Sequence, residues 1–231
     1  MADAALKLAS SMATRELLAA LVAQYQQDQG QAVVAEAAGG VDVARRVEQG
    51  EALDVVVLAS GAIDKLIASG RVLAGSRVDL VRSGVAIAVR SGAKPWPVGS
   101  ESEVRAAVLA ARTLSFSTGP SGVYLEQLFQ RWGILETVRP RIVVPPPGVP
   151  VGSLVATGQA ELGFQQLSEL MNLPGIDLLG PLPPEIQTTT IFSGGICAAS
   201  QRPAAGRALL AFMASPAMAE LKRQHGMEPA D

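Results

Sequence analysis

Four short segments rich in serine, threonine and glycine stand just before predicted helices. They are Ser10-Ser11, Gly39 to Val41, Ser117 to Gly122 and Gly148 to Gly152. The first turn of a helix exposes backbone N–H groups and the positive end of the helix dipole, and hydroxyls add further donors. Ordinary helix capping explains any one of these turns taken alone. Together, the four turns predict a receptor for a small anion. Its candidate donors are Ser10, Ser11, Gly40, Val41, Ser117, Thr118, Ser121, Val149 and Val151.

The composition excludes several other kinds of function. The 231 residues contain 19 Lys and Arg against 21 Asp and Glu, so no basic surface is available for a nucleic acid. A single cysteine, Cys197, excludes an intrachain disulfide. A single histidine, His225, excludes a two-histidine metal motif and argues against a Ser-His-Asp triad. We expect neither a metal nor an organic cofactor.

The hydropathy pattern does not predict insertion into a membrane. No segment reaches the roughly 18 apolar residues of a spanning helix. The N-terminal residues Met-Ala-Asp-Ala-Ala-Leu-Lys lack the basic and apolar regions of a signal peptide. We expect a periplasmic protein whose leader has been removed, with a cytoplasmic location as the alternative. We also expect a monomer.

Short apolar runs alternate with amphipathic helices along the chain, which predicts parallel strands joined by right-handed crossovers. The first series predicts strands at 6–9, 32–37 and 53–59 and helices at 12–28, 42–49 and 62–69. A long strand pattern at 78–89 and a polar stretch at 91–100 follow. The second series predicts strands at 113–117, 141–144, 162–165 and 176–179 and helices at 101–111, 123–132, 151–157 and 167–171. A β-rich stretch at 188–198 and closing helices at 204–225 complete the pattern.

Two extended segments, near Arg82 to Gly84 and near Thr188 to Phe192, join the two series. We therefore expect an α/β protein of two lobes, each a mainly parallel sheet flanked by helices. Lobe 1 comprises residues 1–83 plus 193–231, and lobe 2 comprises residues 84–192. Ligands of open α/β sheets bind at the carboxyl ends of the strands, so the turns are expected to line a cleft between the lobes.

The order of these motifs resembles periplasmic molybdate-binding proteins over nearly the full length. The resemblance is carried by Ser10-Ser11 after a strand, Leu53 to Val56, Thr118 to Gly122, Arg131 to Gly133 and Gly158 to Phe164. It implies a type II periplasmic-binding-protein fold. The alternative function that it implies is a solute-binding protein of an ABC-type transporter, for a molybdate-like oxyanion or a small carboxylate.

Two departures from that family point to an offshoot of the same fold. Gly39 to Asp42 stands where the family has a serine-rich loop, and Gln165-Gln166 stands where it has a tyrosine. With Ser11 to Arg15 and Leu162 to Leu170, these residues look more like aconitate isomerases. This second resemblance implies that the chain binds a tricarboxylate and interconverts cis- and trans-aconitate by a cofactor-free 1,3-proton shift.

Several charged and amide side chains are candidates for binding such an acid. Arg82 would hold a carboxylate bidentately, or else form a surface salt bridge. Arg15 would reach the mouth of the cleft, or else remain a solvated helix charge. Gln165 and Gln166 both donate and accept hydrogen bonds, which suits a carboxyl-bearing ligand.

The proton shift requires a base, for which Asp42, Tyr124 and Glu169 are the candidates. Each stands at or just after a turn that we expect to face the cleft. For Asp42, the alternative is an acid that simply favours the first turn of a helix. For Tyr124, the alternative is a ring packed into the core between the two lobes. His225 is a poor candidate, because it ends a cationic helix terminus.

Overall fold

A computed structural model describes residues 5–146 and 148–230. The described part leaves out residues 1–4, Pro147 and Asp231, which belong to the predicted lobes. The chain divides into two compact units. Unit 1 comprises Met1–Ser83 and Ile191–Asp231, and unit 2 comprises Gly84–Thr190.

The chain alternates between strands and helices for most of its length. The strands are β1 (Leu6–Ser11), β2 (Val33–Ala38), β3 (Val55–Ala59), β4 (Val78–Arg90), β5 (Leu114–Phe116), β6 (Leu162–Gln166), β7 (Ile176–Pro181), β8 (Thr189–Ile196) and β9 (Glu228–Pro229). The α-helices are α1 (Arg15–Gln29), α2 (Gly40–Glu48), α3 (Ser60–Ala68), α4 (Glu101–Ala110), α5 (Pro120–Arg131), α6 (Leu135–Val138), α7 (Val151–Ala156), α8 (Leu167–Leu170), α9 (Pro203–Ala214) and α10 (Ala219–Gln224). Turns of 3-10 helix lie at Met12–Thr14, Arg139–Arg141, Pro184–Ile186 and Pro216–Met218. No helix in the described ranges is long and apolar enough to cross a membrane.

The sheet of unit 1 follows the order β2-β1-β3-β8-β4, with β9 paired to β4. Strand β1 is parallel to β2 and to β3, and β8 is antiparallel to β3. Side chains alternate along β3, so Val55 and Val57 pack with α1 and α9, whereas Val56 and Leu58 pack with α2 and α3. Helices thus cover both faces of this sheet.

The sheet of unit 2 is built in the same way around β4 and β6. Strand β5 is parallel to β6, whereas β4 is antiparallel to both β6 and β7. On one face, Val85 and Ile87 pack with α4 and α5, and on the other, Ala86 and Ala88 pack with Leu170 of α8. This sheet is also covered on both sides.

Two details of the sheets differ from the sequence-based expectation. Parallel pairing is found for β1, β2, β3, β5 and β6, but β4 and β8 pair antiparallel with their neighbours. The predicted strand at 141–144 is wrong, because this segment makes only one bridge, between Ile142 and Leu114. Pro145 and Pro146 follow it and have no N–H group to extend a ladder.

A buried carboxylate ties the two chain segments of unit 1 together. Asp54, just before β3, accepts hydrogen bonds from the Lys7 backbone N–H at 2.9 Å and from the Ser200 hydroxyl at 2.7 Å. Its Oδ2 also lies 2.6 Å from Nη2 of Arg202. Burial opposes ionisation of Asp54, but the bonds from Lys7 and Ser200 and the charge of Arg202 outweigh burial and lower its pKa.

We expect Asp54→Asn to lower the free energy of unfolding by about 3 kcal/mol at neutral pH, because Arg202 then loses its buried counter-ion. A depressed carboxyl pKa stabilises the fold above about pH 4 and stops doing so as the pH falls through the folded-state value. The difference in unfolding free energy between the wild type and Asp54→Asn should therefore become smaller in acid. Urea denaturation at several pH values measures this difference.

Asp64→Asn is the matched control. Asp64 pairs with Arg77 at 2.7 Å, but its side chain is 54% exposed. Removing such a surface pair should cost less than about 1 kcal/mol. An equal loss in both variants would contradict the role assigned to Asp54.

Candidate functional site

A buried serine hydroxyl lies at the carboxyl end of β1. The Oγ atom of Ser11 is buried and has no hydrogen-bond partner among residues 5–146 and 148–230. The backbone carbonyl of Ser11 accepts a bond from the Thr14 hydroxyl at 3.1 Å, which fixes the turn that follows. A buried polar atom without a partner costs free energy, so such atoms in native proteins call for an explanation.

The start of α2 lies beside this hydroxyl. A Cβ atom built on Gly40, the first residue of α2, would lie 3.6 Å from Cβ of Ser11. The first N–H groups of a helix have no acceptor within the helix, and Gly40 and Val41 occupy that first turn. The unpaired hydroxyl and the start of α2 form what we call the Ser11 junction. Hydroxyl and amide donors at a helix start are the groups that bind an anion.

Among the other predicted residues of unit 1, Ser10 and Arg15 have partners outside the Ser11 junction. The Ser10 hydroxyl donates to the Glu36 carbonyl at 3.4 Å. Arg15 is exposed and lies 2.8 Å from the Glu16 carboxylate. Arg82 is half-buried on β4, and its backbone lies opposite that of Glu228 in the pairing of β4 with β9.

Asp42 sits in the first turn of α2 rather than against Ser11. Its Oδ1 lies 3.2 Å from Nη1 of Arg45, and half of its side chain is exposed. Its Oδ2 lies 3.0 Å from the position that a Cβ on Gly39 would take, so the carboxylate folds back towards the start of its own helix. This is the geometry of an acid that stabilises a helix dipole.

In unit 2, the turn between β5 and α5 brings two hydroxyls together. The Oγ atoms of Ser117 and Ser121 are 3.1 Å apart, and the Gly119 N–H donates to Ser117 Oγ at 3.3 Å. Thr118 at the tip of the turn is exposed. A Cβ on Gly122 would lie 1.6 Å from the Ser117 carbonyl oxygen, so only glycine allows the helix to start this close to the strand.

The side chain of Gln165, which belongs to β6, lies at the start of α7. Its Oε1 accepts a hydrogen bond from the Val151 N–H at 2.9 Å, and its Nε2 donates to Oε1 of Glu169 at 2.7 Å. The Val149 N–H donates to the Pro146 carbonyl at 3.0 Å. Both N–H groups predicted as ligand donors therefore already have acceptors within unit 2. Their binding to a ligand stays a prediction that would require these bonds to be exchanged.

The remaining candidates of unit 2 anchor its structure. The Tyr124 hydroxyl donates to the Ile186 carbonyl at 2.7 Å, while its ring packs against the main core cluster of the unit. The Nε2 group of the buried Gln166 donates to Thr190 Oγ1 at 2.9 Å. The Tyr124 ring thus belongs to the core of unit 2.

Sequence reasoning missed the link between Gln165 and α7. The sequence shows that Gln165 and Glu169 are four residues apart. It does not show that α7 packs on β6, and the bond from the Val151 N–H to Gln165 depends on that packing.

Two further observations concern metal binding and the cysteine. No cluster of three or more His, Cys, Asp or Glu in the described ranges is placed to hold a metal ion. Burial raises the pKa of the Cys197 thiol to about 12, so it is protonated at neutral pH.

Mixed sheets covered by helices, with polar turns at the strand ends, are typical of proteins that bind small solutes. The chain belongs to the family of bacterial extracellular solute-binding proteins, whose model matches residues 6–228. A Pseudomonas protein described as aconitate isomerase is 40% identical over 190 residues, which cover 81% of this chain and 71% of that protein.

Solved structures share the fold at low sequence identity. The periplasmic molybdate-binding protein of Azotobacter vinelandii has a TM-score of 0.80 and 22% identity, covering 98% of this chain and 100% of that one. The sulfate-binding protein SubI of Mycobacterium tuberculosis has a TM-score of 0.79 and 15% identity, covering 99% and 88%. The predicted periplasmic-binding-protein-like fold is confirmed by these matches. The site residues stay predictions.

We expect Ser11→Ala to separate ligand binding from stability. Because the hydroxyl has no partner among the described residues, its removal should leave the unfolding free energy unchanged or raise it by up to about 1 kcal/mol. Loss of a hydrogen bond to a charged ligand should weaken affinity by about 1.5–3 kcal/mol, or roughly tenfold or more. Calorimetric titration with trans-aconitate and with molybdate measures the affinity.

Ser193→Ala is the matched control within unit 1. The Ser193 hydroxyl is also buried, but it donates to Oδ1 of Asp79 at 2.6 Å. This variant should lose stability and keep its affinity. If Ser11→Ala leaves the affinity for both ligands unchanged, the Ser11 junction is not a binding site.

Proposed function

We propose that the chain interconverts cis- and trans-aconitate. The observation that carries the proposal is the 40% identity, over 81% of this chain, to the Pseudomonas protein described as aconitate isomerase. The Ser11 junction supports it, because neutral donors at a helix start bind carboxylates without a cluster of lysines. The chain would therefore be an enzyme of the isomerase class with a tricarboxylate substrate.

The reaction requires that one proton is removed from the substrate and that one is returned to it. In cis-aconitate, the carbon that bears the central carboxylate is flanked by a methylene carbon and a vinylic carbon. A base removes a methylene proton, and the electron pair of that C–H bond spreads over the three carbons and a carboxylate. The protonated base returns a proton to the former vinylic carbon, which moves the double bond and gives trans-aconitate. Atoms and electrons balance without an oxidant or a reductant.

The protein must supply two kinds of group for this reaction. Donors must hold the carboxylates and stabilise the charge that develops on them, which suits hydroxyl and N–H groups such as those of the Ser11 junction. A carboxylate or another base must lie near the carbon that loses its proton. Holding both in place supplies the orientation on which the rate depends.

We expect the wild-type protein to convert trans-aconitate in deuterated water. Proton NMR should show cis-aconitate signals appearing, together with loss of the vinylic and methylene signals as deuterium enters from the base. Ser11→Ala should slow the conversion by roughly tenfold or more at low substrate, whereas Ser193→Ala should not. Absence of conversion and of exchange at high protein concentration would contradict the proposal.

The second candidate function is delivery of a small anion to a membrane transporter. The family match and the molybdate- and sulfate-binding structures that share the fold favour it. In this case the protein would be a periplasmic monomer, with its leader removed, that binds without turnover. Tight molybdate binding in calorimetry with no aconitate conversion in NMR would select this function.

A further inference from the structure

The start of α2 lacks the kind of side-chain cap that α4 has. The N-cap residue of α2 is Gly39, which has no side chain to accept a hydrogen bond. In α4, by contrast, the Ser100 hydroxyl accepts a bond from the Glu103 N–H at 3.3 Å. The first N–H groups and the positive dipole end of α2 therefore favour a negative group from elsewhere, either of this chain or of a ligand.

The carboxylate of Asp42 lies at this helix start, beside the Ser11 junction. Its Oδ2 atom is 3.0 Å from the position that a Cβ on Gly39 would take. The next residue, Gly40, lies about 3.8 Å further along the chain, and its own Cβ position is 3.6 Å from Cβ of Ser11. Because glycine has no side chain, this two-residue segment places no side-chain atoms between the charge of Asp42 and the Ser11 hydroxyl.

Arg45 neutralises only part of this charge. Its Nη1 lies 3.2 Å from Oδ1 of Asp42, whereas Oδ2 is the oxygen on the side of Gly39. Arg45 stands three residues later in α2, which is about 4.5 Å further along the helix axis. Half of the Asp42 side chain is exposed, and an ion pair exposed to water is weak. An anion at the Ser11 junction therefore meets the negative end of the pair first.

The other arginines of α2 and of the neighbouring α1 are held by carboxylates. Arg46 of α2 pairs with Glu36 and with Glu51, and Arg15 of α1 pairs with Glu16. These arginines therefore add no net positive charge to this part of unit 1. The carboxylate at the start of α2 is thus the charge whose removal should change how the junction treats anions.

Compact and extended anions carry their charge differently. Sulfate and molybdate hold two negative charges on one small tetrahedron, whereas each carboxylate of aconitate holds one, and the three carboxylates stand on different carbon atoms. Coulomb repulsion grows with the charge at a given distance and falls as the distance increases. The carboxylate of Asp42 therefore opposes a compact dianion at the Ser11 junction about twice as strongly as a single carboxylate in the same place.

We propose that Asp42 is a specificity-determining residue, whose charge excludes compact dianions from the Ser11 junction and leaves it to a carboxylate of an organic acid. This inference rests on the proposed function, because it takes the junction as the place where one carboxylate of the substrate binds. Asp42 acts through its charge and position and needs no contact with the substrate. Repulsion of the unwanted ligand is a general route to specificity. The same charge stabilises the dipole of α2, so this exclusion does not destabilise the helix.

Asp42→Asn tests the role of the charge, because it keeps the shape of the side chain. In calorimetric titrations at about 10 mM NaCl, where the Debye length is about 30 Å, we expect the affinity for sulfate and for molybdate to rise at least about tenfold. The repulsion of a single carboxylate is about half as large, so the affinity for trans-aconitate should rise by only about threefold.

Glu48→Gln is the matched control within the same helix. It removes the same charge at the other end of α2, six residues after Asp42 and about 9 Å further along the axis. Both carboxylates are exposed, so neither substitution should disturb the core. We expect the control to change the sulfate affinity less than about twofold. An equal gain in both variants would mean that net charge alone matters, and would overturn the role of position.

Salt separates the effect of charge from the effect of shape. At about 1 M NaCl the Debye length falls to about 3 Å, so the gain of Asp42→Asn for sulfate should shrink to less than about threefold. A gain that remains about tenfold at this salt concentration would mean that the new amide itself binds sulfate, and would overturn the role of the charge.

The affinities of the variant decide the inference separately from the proposed function. Dianion affinities that stay within about threefold of the wild type in Asp42→Asn, or that remain too weak to measure, would overturn the inference. So would an equal gain for trans-aconitate, because Asp42 would then repel anions without selecting among them. A wild-type protein that neither converts nor exchanges aconitate would overturn the proposed function, whereas the affinities for sulfate and molybdate would still decide the role of Asp42.

Discussion

Both faces of each sheet are buried along the central strands, and this constraint limits where an unpaired polar group can lie. Every residue of β6 is buried, and so are four of the five residues of β3, so an unpaired polar side chain in mid-strand would be costly. Hydroxyls, amides and carboxylates collect instead where strands end and helices begin. Ser11 ends β1, Ser117 follows β5, and Gln165 stands at the end of β6. Covering the sheets thus concentrates the chemistry in a few turns.

Binding an anion and moving a proton place different demands on these turns. The Ser11 junction offers neutral donors, which serve an oxyanion or a carboxylate equally well. A carboxylate beside the bound anion would repel a small oxyanion, and it becomes useful when a proton must be removed. A carrier and an isomerase built on this fold would therefore differ in whether a base lies beside the bound anion. A shared fold says little about that, because function resides in the site.

The turns could be predicted from local sequence patterns, whereas contacts between residues that are distant in sequence could not. Ser11 and the segment from Ser117 to Gly122 stand out because a strand, a polar turn and a helix follow each other directly. The bond from Val151 to Gln165 spans 14 residues and exists because α7 packs closely on β6. That packing depends on Gly163, where a Cβ would lie 2.5 Å from the Val155 side chain. The sequence shows a glycine at this position, but it does not show which helix packs against it.

The Asp54 cluster also bears on how the molecule is made. Asp54 belongs to the first segment of unit 1, whereas its partners Ser200 and Arg202 belong to the second. The ribosome synthesises the whole of unit 2 after the first of these segments and before the second. Unit 2 is one continuous stretch and can acquire its core while synthesis is still in progress. The segment that precedes unit 2 must wait for β8 and α9 before Asp54 meets its counter-ion, so it emerges before unit 2 and is completed after it.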